Sequence, residues 1–442
     1  MVPSAGPACA TAPTRSRPGV DKVPAVTITR CYCGHLGCDP ARMLIGWLRG
    51  ASIPPHWAQL AGGEVVLTPS GRTAIALAAH AWGLGPGDKV LVPAYNCGAE
   101  IDPIASRGAT LVPYRVDERA VIDYDDLIQR VTHRTRAVYV THYFGWPQRL
   151  TELAAWCRQR QILLLEDCAL ALFSAGPDGP LGAHGDAVIF SFRKTLGVPD
   201  GGALVLRRGA VNPLPRRRAA QYRALLRPSL SLLRNSILEH ADRLGCYPLA
   251  ARLTGSTRRS RAAHGAVRGR RDIPARYYFN HSRASLRISR PSAGLLHSVD
   301  LDNVVARRRS NCTRLLQGIT GLPGVIPLFD DVPAGVCPLS LPVRVADRAL
   351  WRHELAARRI ASIPWWSGYH RDLPWDALPE ACVLKDQILG LPVHHDLTPA
   401  NIDYLGHSVR TVARQLTVPR PGPPLAATPR SHRSPRPAAA CS

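Results

Sequence analysis

The sequence predicts an α/β fold, with a mostly parallel sheet buried between helices and a smaller C-terminal α/β domain after it. Three observations carry that expectation. From Val65 onward, wholly apolar strand-like runs alternate with segments of helical period. His142, Asp167 and Lys194 sit at the ends of such runs, the edge of a parallel sheet where ligands bind. A strand also enters a helix through Ser70-Gly71, a junction that points backbone N–H groups and the positive end of the helix dipole at a small anion.

Taken in order, VVLTPSGRTAIALAAHAWGLGPGDKVLVPAYN from Val65 reads as strand, Ser-Gly turn, alanine-rich helix, Gly-Pro-Gly-Asp turn and strand. ATLVPYRVD is a strand ending at Asp117, DYDDLIQRV an amphipathic helix, and RAVYVTHYFG a strand ending in His142-Tyr143-Phe144-Gly145. LTELAAWCRQR is a helix, and ILLLEDCA an apolar run closing on Glu166-Asp167. An acid there must be paired; capping the next helix is its plainer role. VIFSFRKTLGVPDGGALVL, Val188 to Leu206, is strand, polar turn, Gly201-Gly202 and strand. It holds Lys194, one of four lysines among 56 basic residues. An amine at such a strand end can lose its proton and act as a nucleophile, which arginine cannot do. A solvated turn lysine is the plainer reading.

The chain has 442 residues, 45% hydrophobic, with a net charge of +24. That length accommodates two or three domains. No apolar run is long enough to span a bilayer, and Met1–Val20 lacks a signal-peptide pattern, so a cytoplasmic location is expected. The 12 cysteines are scattered and are expected mostly as buried thiols. Residues 1–42, rich in Pro, Ala, Thr and Arg, are expected to be disordered or to follow from a mis-assigned start, with Met43 as the true one. Cys31, Cys33, His35 and Cys38 there offer soft ligands but not the paired knuckles of a zinc finger. From Arg207 to Arg276 stand seventeen arginines and three acids, an excess of fourteen positive charges. Without aromatic interleaving or a recognisable module, this block does not read as a nucleic-acid site.

The pieces together resemble the DegT/DnrJ/EryC1/StrS family of pyridoxal-phosphate-dependent sugar aminotransferases, of fold type I. The text that carries the resemblance is SGRTAIALA, GLGPGDKVLVPAYN, IDYDDLIQRVTHRTRAVYVTHYFGWP, ILLLEDCA, GDAVIFSFRKTLGVPDGGALVL and LGLPVHHDLTPANIDYL. It runs continuously over about 60–206 and more loosely over 280–412. It fades over the basic stretch 207–276, whose apolar spacing reads as a helical insert, and residues 416–442, without periodicity, are expected to be disordered. The resemblance implies a large domain, 43–300, on a seven-stranded type of sheet, and a small domain at 301–415. Its implied cofactor is pyridoxal phosphate: Lys194 bonds the aldehyde, Asp167 faces the ring nitrogen, and Gly71, Arg72, Thr73 and Ser191 hold the phosphate. No metal is implied.

Three positions depart from the family. Cys97 falls where an aromatic usually stacks on the ring, with Tyr95 as a nearby substitute. Leu170 stands where relatives often carry glutamine. Only three positions separate Ser191 from Lys194, where many relatives have five. Retention of lysine at 194 favours transamination, since relatives that dehydrate deoxysugars carry histidine there. His142, in a His-x-Tyr/Phe-Gly-x-Pro segment, reads as a packed residue. Arg287, Arg290 and Trp366 are the expected substrate contacts. The implied function is transfer of an amino group from an amino acid, expected to be glutamate, to a keto-sugar within a homodimer with shared active sites. A cyclitol acceptor and a catalytically silent cofactor-binding protein are the alternatives. The insert fits either a helical element at a dimer edge or a basic amphipathic surface against lipid.

Overall fold

The computed structural model describes residues 57–417 except 61, 220–221, 245, 247–248, 250–251 and 254–270. The Cys31–Cys38 cluster, the Met43 start, the extension 1–42, most of the tail and part of the insert lie outside the described residues.

Seven strands form the main sheet: β1 (Glu64–Thr68), β2 (Lys89–Pro93), β3 (Thr110–Tyr114), β4 (Thr135–Thr141), β5 (Leu163–Asp167), β6 (Ala187–Phe190) and β7 (Gly202–Leu206). Their order is β1-β7-β6-β5-β4-β2-β3. All pairs are parallel except those of β7, which runs against both β1 and β6. Strands β6 and β7 are buried at every residue, which explains apolar runs without alternation: helices cover both faces. One cover is α1 (Gly71–Ala81), capped by Ser70 and packed on β6 and β7 through its alanines. Also on this sheet's periphery are α2 (Asp102–Ala105), α3 (Tyr124–Gln129) and α4 (Thr151–Gln159). Among the described residues no helix is long and apolar enough to cross a membrane.

Register brings the chemistry to one edge. Thr141 lies opposite Asp167, and Asp167 opposite Ile189. Two residues past Ile189, Ser191 opens the single turn α5 (Phe192–Thr195), which carries Lys194. The insert contains α6 (Tyr222–Arg243), and α7 (Arg290–Leu296) follows it.

A second sheet, all antiparallel in the order β8-β9-β11-β10, consists of β8 (Ile326–Pro327), β9 (Ser340–Arg344), β10 (Ile363–Pro364) and β11 (Ile388–Pro392). It is accompanied by α8 (Leu301–Ile319), α9 (Arg348–Ala357), α10 (Pro379–Gln387) and α11 (Pro399–Thr417). One apolar cluster joins the two sheets, running from Tyr95, Tyr143 and Phe144 to Trp365 and Leu389. Polar ties cross the same junction. Buried Arg308 on α8 donates to the Thr195 carbonyl at 3.0 Å, one residue past Lys194. Buried Lys385 on α10 donates to the Asn96 carbonyl at 2.5 Å and lies over the Tyr369 and Trp375 rings.

Strand β7 approaches the Ser70–Gly71 junction more closely than a side chain allows. A Cβ at Gly202 would lie 2.6 Å from the Phe190 carbonyl oxygen, 2.7 Å from the Ser70 carbonyl carbon and 2.8 Å from the Gly71 nitrogen. All three are backbone atoms and have little room to yield. Gly202→Ala is therefore expected to lower the unfolding free energy by about 2 kcal/mol or more. Urea denaturation measures this, and an unchanged midpoint would contradict the close approach.

Candidate active site

Asp167 ends β5 and is buried. Its Oδ1 accepts from the Ala169 amide at 2.7 Å, and its Oδ2 accepts from the Tyr139 hydroxyl. These donors fix the carboxylate rather than cap a helix. Next to it in sequence, Glu166 is wholly consumed by structure, accepting from the Gly182, His184 and Gly185 amides at 2.6, 3.1 and 2.7 Å. His142 Nδ1 accepts from the Gln148 amide at 2.9 Å, so its Nε2 carries the hydrogen donated to Glu166 at 2.9 Å. His142, Glu166 and Cys168 are close enough to hold a cation, but these bonds already occupy the histidine and the carboxylate.

Lys194 lies within electrostatic reach of Asp167. Loss of hydration around the amine lowers its pKa, and the nearby Arg193 and Arg72 lower it further, against the pull of Asp167 and Glu100. The turn holding it is clamped at its far side. Asp200 accepts from the Ser289 hydroxyl at 2.6 Å and from the Ser292 hydroxyl, anchoring the stretch between Lys194 and Gly201 to the start of α7. Burial raises the Asp200 carboxyl despite those bonds.

The third component is the start of α1. Ser70 Oγ accepts from the Thr73 amide at 3.4 Å and lies 3.2 Å from the Thr73 hydroxyl. Gly71 and Arg72 supply the first two amides of the helix, which have no intrahelical acceptor. Buried Ser191 stands beside them, its Cβ 3.5 Å from where a Gly71 Cβ would be. Arg72 donates to the Tyr277 carbonyl at 2.9 Å, and burial together with Arg283 and Arg193 lowers its pKa. Helix start, small residues and clustered guanidinium groups make an anion cradle within electrostatic reach of the amine.

The remaining expected residues are placed differently from one another. Tyr95 is buried between Tyr143 and Trp366, with ring centroids at 5.3 and 5.0 Å, and its hydroxyl donates to the Trp365 carbonyl at 2.9 Å. It is a packing residue between the sheets, and Trp366 belongs to the same aromatic group. Cys97 is partly exposed on a turn shaped by Asn96, whose side chain donates to the Pro93 carbonyl at 2.8 Å and accepts from the Gly98 amide at 2.9 Å. Arg287 and Arg290 are exposed. Leu170 is buried in the joint core.

Sequence reasoning missed Glu100 and Lys385. Glu100 accepts from the Cys97 amide at 2.8 Å and contacts the Cys97 thiol. Burial and the Asp167 carboxylate push its pKa up to about 7, against Lys194 and Lys385. Burial takes Lys385 down to about 7. An acid four residues past Asn96 reads as a solvated turn, and an isolated helix lysine reads as surface; nothing local signals that both are enclosed.

Residues 58–216 match the family model described as the DegT/DnrJ/EryC1/StrS aminotransferase family. Over 142 residues the chain is 37% identical to dTDP-4-dehydro-2,3,6-trideoxy-D-glucose 4-aminotransferase of Saccharopolyspora spinosa, a match covering 31% of this chain and 37% of that protein. Over 165 residues it is 32% identical to L-glutamine:2-deoxy-scyllo-inosose aminotransferase of Micromonospora echinospora, covering 37% and 38%. The chain thus spans well under half the length of these curated relatives. The solved structure of a putative sugar aminotransferase, Spr1654 of Streptococcus pneumoniae, in its PLP form superposes with a TM-score of 0.61 at 20% identity, over 88% of this chain and 100% of that one. The aminotransferase TlmJ of Streptoalloteichus hindustanus gives 0.57 at 24%, over 87% and 93%. The α/β fold of type I expected from the sequence is the fold these structures share.

Glu100 sets a pH dependence. Its folded pKa of about 7 lies above the ordinary carboxyl value of 4.5, so its contribution is full below pH 4.5 and is lost as pH rises through 7. Glu100→Gln carries no charge to bury. The variant is expected to match the parent near pH 4.5 and to exceed it at pH 8 by up to about 3 kcal/mol. Urea unfolding at the two pH values checks this, and a variant less stable at pH 8 would contradict it.

Proposed function

We propose that this chain, a member of the DegT/DnrJ/EryC1/StrS aminotransferase family, transfers an amino group from an amino acid to a keto-sugar using pyridoxal phosphate. The observation that carries the reading is the meeting, at one sheet edge, of an amine of lowered basicity, a fixed carboxylate and an anion cradle. The residues fit the cofactor. Lys194 would hold its aldehyde carbon, with loss of water, and Asp167, oriented by Tyr139 and Ala169, would keep a proton on its ring nitrogen. Gly71, Arg72, Thr73 and Ser191 would receive the phosphate, at a helix start that the side-chain-free Gly202 lets β7 approach closely.

When bound, pyridoxal phosphate supplies a ring that withdraws electrons from the carbon next to a captured amine. Lys194 Nζ is the atom that takes and returns the substrate proton, and its lowered pKa enlarges the unprotonated fraction near neutral pH. Glutamate is the expected donor. The working unit is a homodimer with shared sites, in which the exposed Arg287 and Arg290 face the partner's substrate. A cyclitol acceptor is the second reading, supported by the inosose aminotransferase among the matched relatives. A silent cofactor-binding protein is the third, supported by Cys97 at the expected ring-stacking position while the Tyr95 ring is held between Tyr143 and Trp366.

The test is spectroscopic and chemical. Protein supplied with pyridoxal phosphate is expected to show a visible band that glutamate or glutamine bleaches and a keto-sugar restores, with an amino-sugar in the product. Asp167→Ala is expected to slow the bleaching at least a thousandfold. Restoration by keto-cyclitols alone selects the second reading. A band that no amino donor bleaches selects the third and overturns the proposed reaction.

A further inference from the structure

Helix α6 leaves an apolar stripe in solvent. Leu226, Leu230, Leu233 and Ile237 are 56%, 61%, 39% and 47% exposed. Their spacing of four, three and four residues keeps them within about 40° of one line along the helix. The opposite side is the buried one, through Leu232, Asn235, Ser236 and Leu238. The apolar surface does not end with the helix: Leu244, Leu249 and Leu253 are 80%, 62% and 79% exposed. Seven of the thirteen large apolar side chains exposed among the described residues therefore fall between 226 and 253, which concentrates them in one stretch of chain.

The charge beside the stripe has one sign. Arg227 and Arg234 are exposed at its edge, about a quarter-turn from the leucines. Arg216 and Arg218 are exposed just before the helix. Between Arg207 and Leu244 the sequence holds nine arginines and two acids. A leucine stripe rimmed by guanidinium groups matches an anionic bilayer surface, where the apolar side chains enter the acyl boundary and the arginines meet lipid phosphates. A second copy of the helix fits less well. It would cover the stripe within α6 but not the leucines beyond Arg243, and it would bring a further set of arginines to the same place.

We propose that the α6 face is a peripheral docking surface for anionic lipid, which holds the protein at a membrane without crossing it. The inference is independent of the reaction proposed above.

The experiment uses the full chain, co-sedimented with vesicles of phosphatidylcholine alone or with a third of phosphatidylglycerol, at low and high salt. Anionic lipid is expected to raise binding at least about tenfold, and high salt to reverse most of that gain. Leu230→Glu with Leu233→Glu is expected to abolish binding with the melting temperature unchanged, since both side chains are exposed. Arg227→Gln with Arg234→Gln keeps the leucines and is expected to cut binding about tenfold. Three results would overturn the proposal. One is no preference for anionic vesicles. Another is binding indifferent to the leucine pair. The third is light scattering in which the glutamate pair converts a dimer to a monomer while the parent ignores vesicles, which would assign the stripe to a second copy.

Discussion

The missing side chain at Gly202 is the constraint on which the site depends. Because β7 lies against the Ser70–Gly71 junction with no Cβ between them, the strand that leaves the Lys194 turn touches the turn that opens α1. Amine and anion cradle are thereby neighbours, although 123 positions separate Gly71 from Lys194. Asp200, bonded to Ser289 and Ser292, and Arg308, bonded to the Thr195 carbonyl, hold the same turn from the other side. A shortened turn is thus braced by three elements rather than by its own length.

Around that turn the protein encloses two amines and two acids. Lys194 and Lys385 have lowered pKa values, while Glu100 is raised beside the fixed Asp167. Attraction between enclosed charges of opposite sign offsets part of their loss of water, but at Glu100 burial outweighs the pull of both amines. The amine pKa at Lys194 is therefore a property of the group. Lys385 reaches it from the second sheet through Asn96, so the packing between the sheets also shapes the electrostatics of the site.

Much of this was legible before the structure. Continuous apolar runs gave strands buried on both faces, and strand ends gave Asp167 and Lys194, because burial on both faces leaves few places for an ionisable group. Ser70-Gly71 was legible as a helix start for the same local reason. Tyr95 was not: alternation along an extended segment predicts which face a side chain shares, but not that Tyr143 and Trp366 would enclose it. Glu100 and Lys385 were hidden because their burial comes from contacts between distant segments, Lys385 bonding Asn96 across 289 positions. The insert showed its charge in the sequence, but its stripe of leucines becomes visible only when the helix's buried side is known.

Lys194, and not another lysine, is the amine proposed to bond the cofactor. Lys385 is the informative competitor, being fully buried and acting electrostatically on the same Glu100. Borohydride reduction of the protein loaded with pyridoxal phosphate, followed by peptide mass mapping, decides between the four lysines. A phosphopyridoxyl group is expected on the peptide containing Lys194 alone. A label on Lys385, or no label on any lysine, would contradict it.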